Sequence, residues 1–147
     1  MDKTDRELLE LAAKAYWADE IDDVVSIEWS EQDEAILYAH ADNQDHNGQD
    51  REYCWNPLTD DGDAFRLFVK LNLTVICGDG SSSAVQNPHV STLKIVPHGD
   101  DPCADTRLAI TRAAAAVATE ALAHHALMER YFGRVNTQDQ AQEGVKK

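Results

Sequence analysis

The sequence is short of cations. Only 13 Lys and Arg stand against 27 Asp and Glu in 147 residues, for a formal charge of −14. That scarcity argues against a protein that grips nucleic acid by neutralising phosphates. It argues equally against an anionic membrane surface as partner. Cysteine is scarce and odd in number. Cys54, Cys77 and Cys103 are widely spaced, so they form neither a disulfide framework nor a CxxC metal knuckle. Reduced thiols are expected, at least two of them in the core. Long apolar runs are missing as well. The longest, around Ala113–Ala118, is far too short to span a bilayer, and nothing near Met1 reads as a signal peptide. The compartment expected is the cytoplasm. The sequence also lacks Gly-x-Ser-x-Gly, His-Glu-x-x-His and P-loop patterns, so no catalytic signature of high specificity is present.

What is present is a core-forming chain. An apolar share of 43% is too high for a disordered acidic tail, and the length suits one domain over 1–133 with a polar, frayed tail over 134–147. Thr4 and Glu7 have capping-box spacing, and Leu8, Leu11, Ala12 and Ala15 follow at helical spacing, so a helix is expected at about 5–17. Val24–Trp29 and Ala35–His40 read as a hairpin. Residues 41–52 read as a solvated loop. Tyr53–Trp55 reads as a short strand ended by Pro57. A helix at 61–71, with acidic residues in its first turn, precedes strands at 73–77 and 90–96 around a flexible turn at 78–83. Asp101-Pro102 has the form of an N-cap followed by Pro at N1, and the helix it opens should run to Phe132, with Gly133 as its stop. The fold expected is α+β: an antiparallel sheet of about four or five strands layered with helices, the last one long.

Trp55-Asn56-Pro57-Leu58-Thr59-Asp60-Asp61-Gly62-Asp63-Ala64 and the helix after it, with Asp101-Pro102 and its Ala- and Arg-rich continuation, resemble the phage alpha–beta–alpha sandwich domain family of small phage and prophage proteins. The similarity covers roughly residues 4–122. It implies a sandwich fold and a phage-related origin, and brings no catalytic residues with it.

Several residue groups are candidate sites. Asp60, Asp61 and Asp63 have the oxygen chemistry that Mg²⁺ or Ca²⁺ prefers, without EF-hand spacing; helix capping is the plainer reading. Trp55 and Asn56 read as a core anchor or as ligand contacts. Gly78, Asp79, Gly80 and Ser81 read as a hairpin tip, or as backbone amides cradling an anion. Arg66 and Arg107, with Arg51, Lys70, Lys94 and Arg112, are the cations a ligand site would recruit. His124 and His125 diverge on a helix and cannot share a metal as an i, i+4 pair would. No cofactor is implied.

The last helix carries the strongest expectation. Over Pro102–Phe132 its 31 residues would span about 46 Å, longer than the roughly 38 Å diameter of a compact domain of this size. Ile110, Ala114, Val117, Ala121, His124, Met128 and Tyr131 follow a 4-3 spacing, with a second apolar line at Leu108, Ala115 and Leu122. Two apolar faces require two partners, the sheet and a second copy, so a homodimer is expected. The functional expectation is a non-catalytic phage accessory protein that binds and inhibits a host protein, such as a component of host defence, through an acidic surface. The alternatives are a small-ligand binder that sequesters a nucleotide signal and, least favoured, a metal-dependent hydrolase.

Overall fold

The computed structural model describes residues 3–19, 24–77, 82–87 and 93–143. The element order is α1 (Lys3–Tyr16), β1 (Val24–Ser30), β2 (Ala35–Gln44), β3 (Asp50–Trp55), α2 (Asp61–Lys70), β4 (Thr74–Cys77), β5 (Ser82–Gln86), β6 (Leu93–Pro97) and α3 (Pro102–Glu143). The α+β class is as expected. The sheet is not: there are two three-stranded antiparallel sheets, β1-β2-β3 and β4-β5-β6. Residues 78–81 and 88–92 lie outside the described residues.

Two local features separate the sheets from the single one expected. Asn56-Pro57 ends β3 and leads straight into α2, so β4 is not joined to β3 by a hairpin, and it pairs with β5 in a second sheet. The sequence Ser82-Ser83-Ala84-Val85-Gln86 also forms β5, where a flexible turn was expected. Its small polar residues hide a clear alternation: Ser83 and Val85 are buried while Gln86 is exposed. The expected 41–52 loop is corrected too. β2 and β3 extend into it, and only a tight tip remains. There Asp45 Oδ1 accepts the Asn47 and Gln49 amides at 2.8 and 3.0 Å. These bonds, the Gln49 amide first, hold the Asp45 carboxyl below its ordinary pKa. Gly48 takes the left-handed φ of +77° that the tip requires.

The helix ends follow sequence rules. Asp60 caps α2 by accepting the Asp63 amide at 2.8 Å. Its C-terminus closes as a Schellman turn with Asn72 at φ +49°, Leu73 N–H bonding Phe68 C=O and Asn72 N–H bonding Val69 C=O. Asp101 caps α3 through the Cys103 and Ala104 amides at 3.0 and 3.1 Å. α1 starts at Lys3, earlier than expected, so Thr4 lies inside it. α3 runs through Gly133 to Glu143. One Gly costs only about 1 kcal/mol inside a helix, and the Arg, Gln, Ala and Glu around it favour continuation.

One core joins these elements. α1 packs chiefly on α3, and β5, β6 and α2 lean on α3 as well. Leu9, Ala12 and Ala13 of α1 meet a run of buried small residues on α3, including Ala109, Ala113 and Ala114. At the end of α1, Tyr16 and Trp17 join Tyr38 and Trp55 in an aromatic cluster with centroids 4.9–5.6 Å apart. Burial first, then the Asp63 charge, raises the pKa of Tyr38.

Leu9 and Leu67 are fully buried, so Leu9→Ala or Leu67→Ala should each destabilise the fold by about 2–5 kcal/mol, transfer and cavity together. Urea unfolding followed by circular dichroism measures this.

Candidate functional site

The chemistry-bearing residues of the Trp55–Asp63 block gather at one corner, where the β1–β2 turn, the end of β3 and the start of α2 meet. A polar concavity of about 420 Å³ opens there, lined by Asp33, Cys54, Asn56, Asp60, Asp63 and Arg66 among others. Sequence reading singled out four of these (Asn56, Asp60, Asp63 and Arg66). It missed Asp33 and Cys54, which carry no motif and arrive only through β-pairing.

Asn56 holds the corner together. Its Nδ2 donates to the Glu34 carbonyl at 2.8 Å, its Oδ1 accepts the Leu58 amide at 3.0 Å, and its own amide donates to Asp63 Oδ2 at 2.8 Å. Glu34 sits at φ +48°, a strained position for a non-glycine residue, and the Asn56 amide locks that turn. Asp63 is buried. Its second oxygen accepts Arg66 Nη2 at 2.6 Å, and that bond is the main reason the Arg66 pKa rises. Gly62 lies just inside. A Cβ there would stand 3.0 Å from Asp60 Oδ1 and 3.4 Å from Arg66 Nη1, so a side chain would press on both the cap and the ion pair.

Arg107 reaches this region from α3. It donates to the Leu58 carbonyl at 2.9 Å and pairs with Asp61. The three candidate metal carboxylates therefore serve different partners: Asp60 caps the helix, Asp61 meets Arg107, and Asp63 meets Asn56 and Arg66. Among the described residues no group of three or more His, Cys, Asp or Glu is placed to hold a metal ion.

Cys54 and Cys103 are exposed, which corrects the expectation of at least two core thiols: Cys54 lies on the outer face of β3, and Cys103 in the first turn of α3. Partial desolvation first, then Asp33, Asp63 and Glu52, raises the Cys54 pKa, away from the reactive thiolate. A serine–histidine contact invisible to sequence reading does form, with Ser83 Oγ 2.8 Å from His98 Nε2 and 2.6 Å from Thr106 Oγ1. Ser83 is completely buried, so this chain of side chains ties β5 to α3 and meets no substrate.

The other candidates fall apart spatially. Trp55 is 1% exposed and sits in the core, its Nε1 without a hydrogen-bond partner among the described residues. Gly78, Asp79, Gly80 and Ser81 lie outside the described residues. Lys94 and Arg112 line a separate cleft beside Leu8 and Ala115, which Arg107 does not line, and Arg51 is on β3. Ile110 and Ala114, expected at an oligomer interface, belong to the domain's own core at 7% and 0% exposure. They face inward because α3 buries its proximal half against α1, α2 and the second sheet. Val117 is half-buried, Ala121 and His124 are exposed, and the Met128 and Tyr131 side chains lie outside the described residues. No helix among the described residues is long and apolar enough to cross a membrane.

Comparison of the chain with protein-family models, with curated proteins and with solved structures gives no match.

Asp63→Ala leaves the buried Asn56 amide without an acceptor and Arg66 without its partner. It should destabilise the fold by about 1–3 kcal/mol, whereas Asp60→Ala, losing only a cap, should cost about 1 kcal/mol; denaturant titration ranks the two. Because these carboxylates are internally engaged, Mg²⁺, Mn²⁺ and Ca²⁺ at millimolar concentration should leave Tm unchanged in a thermal-shift assay.

Proposed function

We infer that this protein is a non-catalytic docking module that binds another protein and works as a homodimer. One observation carries the reading. The polar side chains that chemistry would need are already committed to one another at the Asn56 corner, while the surface left free is carboxylate and apolar. Phe65, Val69, Ile76 and Ile95 are 64%, 57%, 55% and 58% exposed, on a molecule of charge −14. Apolar anchors within a field of one sign suit a protein partner of opposite charge. The resemblance to the phage family makes a host protein the partner class, and inhibition by occupancy the action. The small-ligand reading needs several cations converging on one site. Arg66 and Arg107 are instead paired with Asp63 and Asp61, and Lys94 and Arg112 stand in another cleft.

The dimer rests on α3. Its 42 residues make a rod of roughly 63 Å. Burial ends at Ala118, and every side chain from Thr119 to Leu127 is exposed. Beyond Ala118 the helix continues for roughly 37 Å. A second α3 is the simplest cover for Ala121, Leu122 and Leu127.

Two measurements check this. Native mass spectrometry or sedimentation at tens of micromolar should give twice the 16.3 kDa chain mass. Leu122→Glu with Leu127→Glu should give a folded monomer, because both side chains are exposed in the single chain, with a Tm that no longer depends on protein concentration; a wild-type monomer refutes the dimer. Affinity capture from prophage-bearing cells should retain a basic host protein at low salt and release most of it near 0.5 M salt, where charge steering is screened. Equal retention at both salts refutes the acidic-surface reading.

A further inference from the structure

Among the described residues each sheet ends in two edges that pair with no further strand, and bare edges invite pairing with another chain. Three of the four edges here carry a guard. β1 has an irregular register between Val24 and Ser26 and carries Glu28. β3 carries Asp50, Arg51 and Glu52. β6 ends at Pro97 and turns Lys94 toward α3, where it lines a cleft with Arg112. The fourth edge, β4, reads Thr74-Val75-Ile76-Cys77, with no charge, no proline and an unbroken register against β5.

A groove lies beside that edge. About 320 Å³ in volume, it is walled by α2 and β4 and floored by α3, through Ala64, Phe65, Phe68, Val75 and Ile110. No β5 or β6 residue reaches it, so it borders the β4 side of the sheet. On the sheet's opposite face, Ile76 of β4, Ala84 of β5 and Ile95 of β6 stand in register, and Ile76 and Ile95 are more than half exposed. Thr74, Gln86 and Leu93 form the next row. That row, too, holds no charge, on a protein in which 27% of residues are charged.

An added strand would therefore find the groove under one face and, on the other, the exposed Ile76 as its lateral neighbour. At one end it would pass the N-termini of α2 and α3, where exposed Asp61 and Asp101 flank the half-buried Arg107. A second copy would bring the same acidic rim to that end, so the charge favours a different protein.

We propose that the partner docks by strand addition: an extended segment pairs with β4 through a stretch without charge, seats one bulky apolar side chain in the groove beside α2 and β4, and carries a Lys or Arg just beyond that stretch, toward Asp61 and Asp101. This rests on the docking-module reading and names its surface. Four residues of β4 offer about four outward backbone groups, alternate residues presenting both N–H and C=O. Main-chain bonds supply the pairing, and the groove supplies the selectivity.

Four synthetic peptides, Thr-Val-X-Val-Thr-Arg-Lys with X as Phe, Leu, Ile or Trp, test this on the full chain by fluorescence anisotropy and amide hydrogen exchange. At least one should bind, with added protection concentrated at Thr74–Cys77. Phe65→Glu, at an exposed position, should weaken binding about tenfold or more while leaving Tm unchanged. Replacing the peptide's Arg-Lys by Glu-Glu should weaken it, and N-methylating its valines should abolish it. Failure of all four peptides, protection elsewhere, or equal binding by Phe65→Glu overturns strand addition. If the peptides fail while host-protein capture persists, only the docking mode falls. If capture fails as well, the docking-module reading falls with it.

Discussion

The close seam of small side chains between α1 and α3 is the constraint on which the rest of the structure depends. Ala12 and Ala13 on one helix, and Ala109, Ala113 and Ala114 on the other, are all buried. Helix separation is set by the side chains at the contact, so alanines bring the two axes near the short end of the usual range. That leaves α3 as a common floor. α1 covers one part of it, β5 and β6 another, and α2 a third. Few large side chains are then needed at the centre. They concentrate instead at the end of α1, where Trp17 and Trp55 lie 5.2 Å apart.

A second constraint operates at the Asn56 corner. Two stretches distant in sequence meet there, the turn that holds the strained Glu34 and the Asn56–Asp63 run that ends β3 and opens α2. The side chain of Asn56 and the carboxylate of Asp63 hold them together. This is an economical use of acidic residues. Asp60, Asp61 and Asp63 contribute three units of negative charge, and all three are spent on caps and pairs. The −14 of the chain is thus partly structural, and what remains exposed acts as a field rather than as a ligand cage.

The outer surface has a division of labour. Charges, a proline or an irregular register guard three of the four sheet edges, and the arginines Arg66 and Arg107 are paired internally. The places without such protection are β4 with its groove, the uncharged rows of Ile76 and Leu93, and the distal side of α3. They lie on different elements, so self-association along α3 and strand pairing at β4 do not compete for the same residues.

Much of the fold was legible in the sequence. Capping signals at Asp60 and Asp101, apolar spacing in α2 and α3, and β-branched runs in β1 and β4 are local, and local interactions decide them. The sequence also determined that the last helix would outgrow its domain, because length and the absence of an interior proline suffice for that. Other features were not legible. β5 has a single β-branched residue, Val85, among serines, alanine and glutamine, and its place between β4 and β6 makes it a strand. Two sheets rather than one follow from where α2 packs, a long-range choice. The site divides in the same way. Asn56, Asp60, Asp63 and Arg66 stood out from their spacing, but that their charges would be consumed by one another was decided by the tertiary structure alone. Whether a carboxylate is free or satisfied depends on donors that fold toward it from elsewhere, as Arg107 does across 46 positions to reach Asp61. The same holds for Ile110 and Ala114, whose spacing suited either an interface or a core until the packing of α1 against α3 turned them inward.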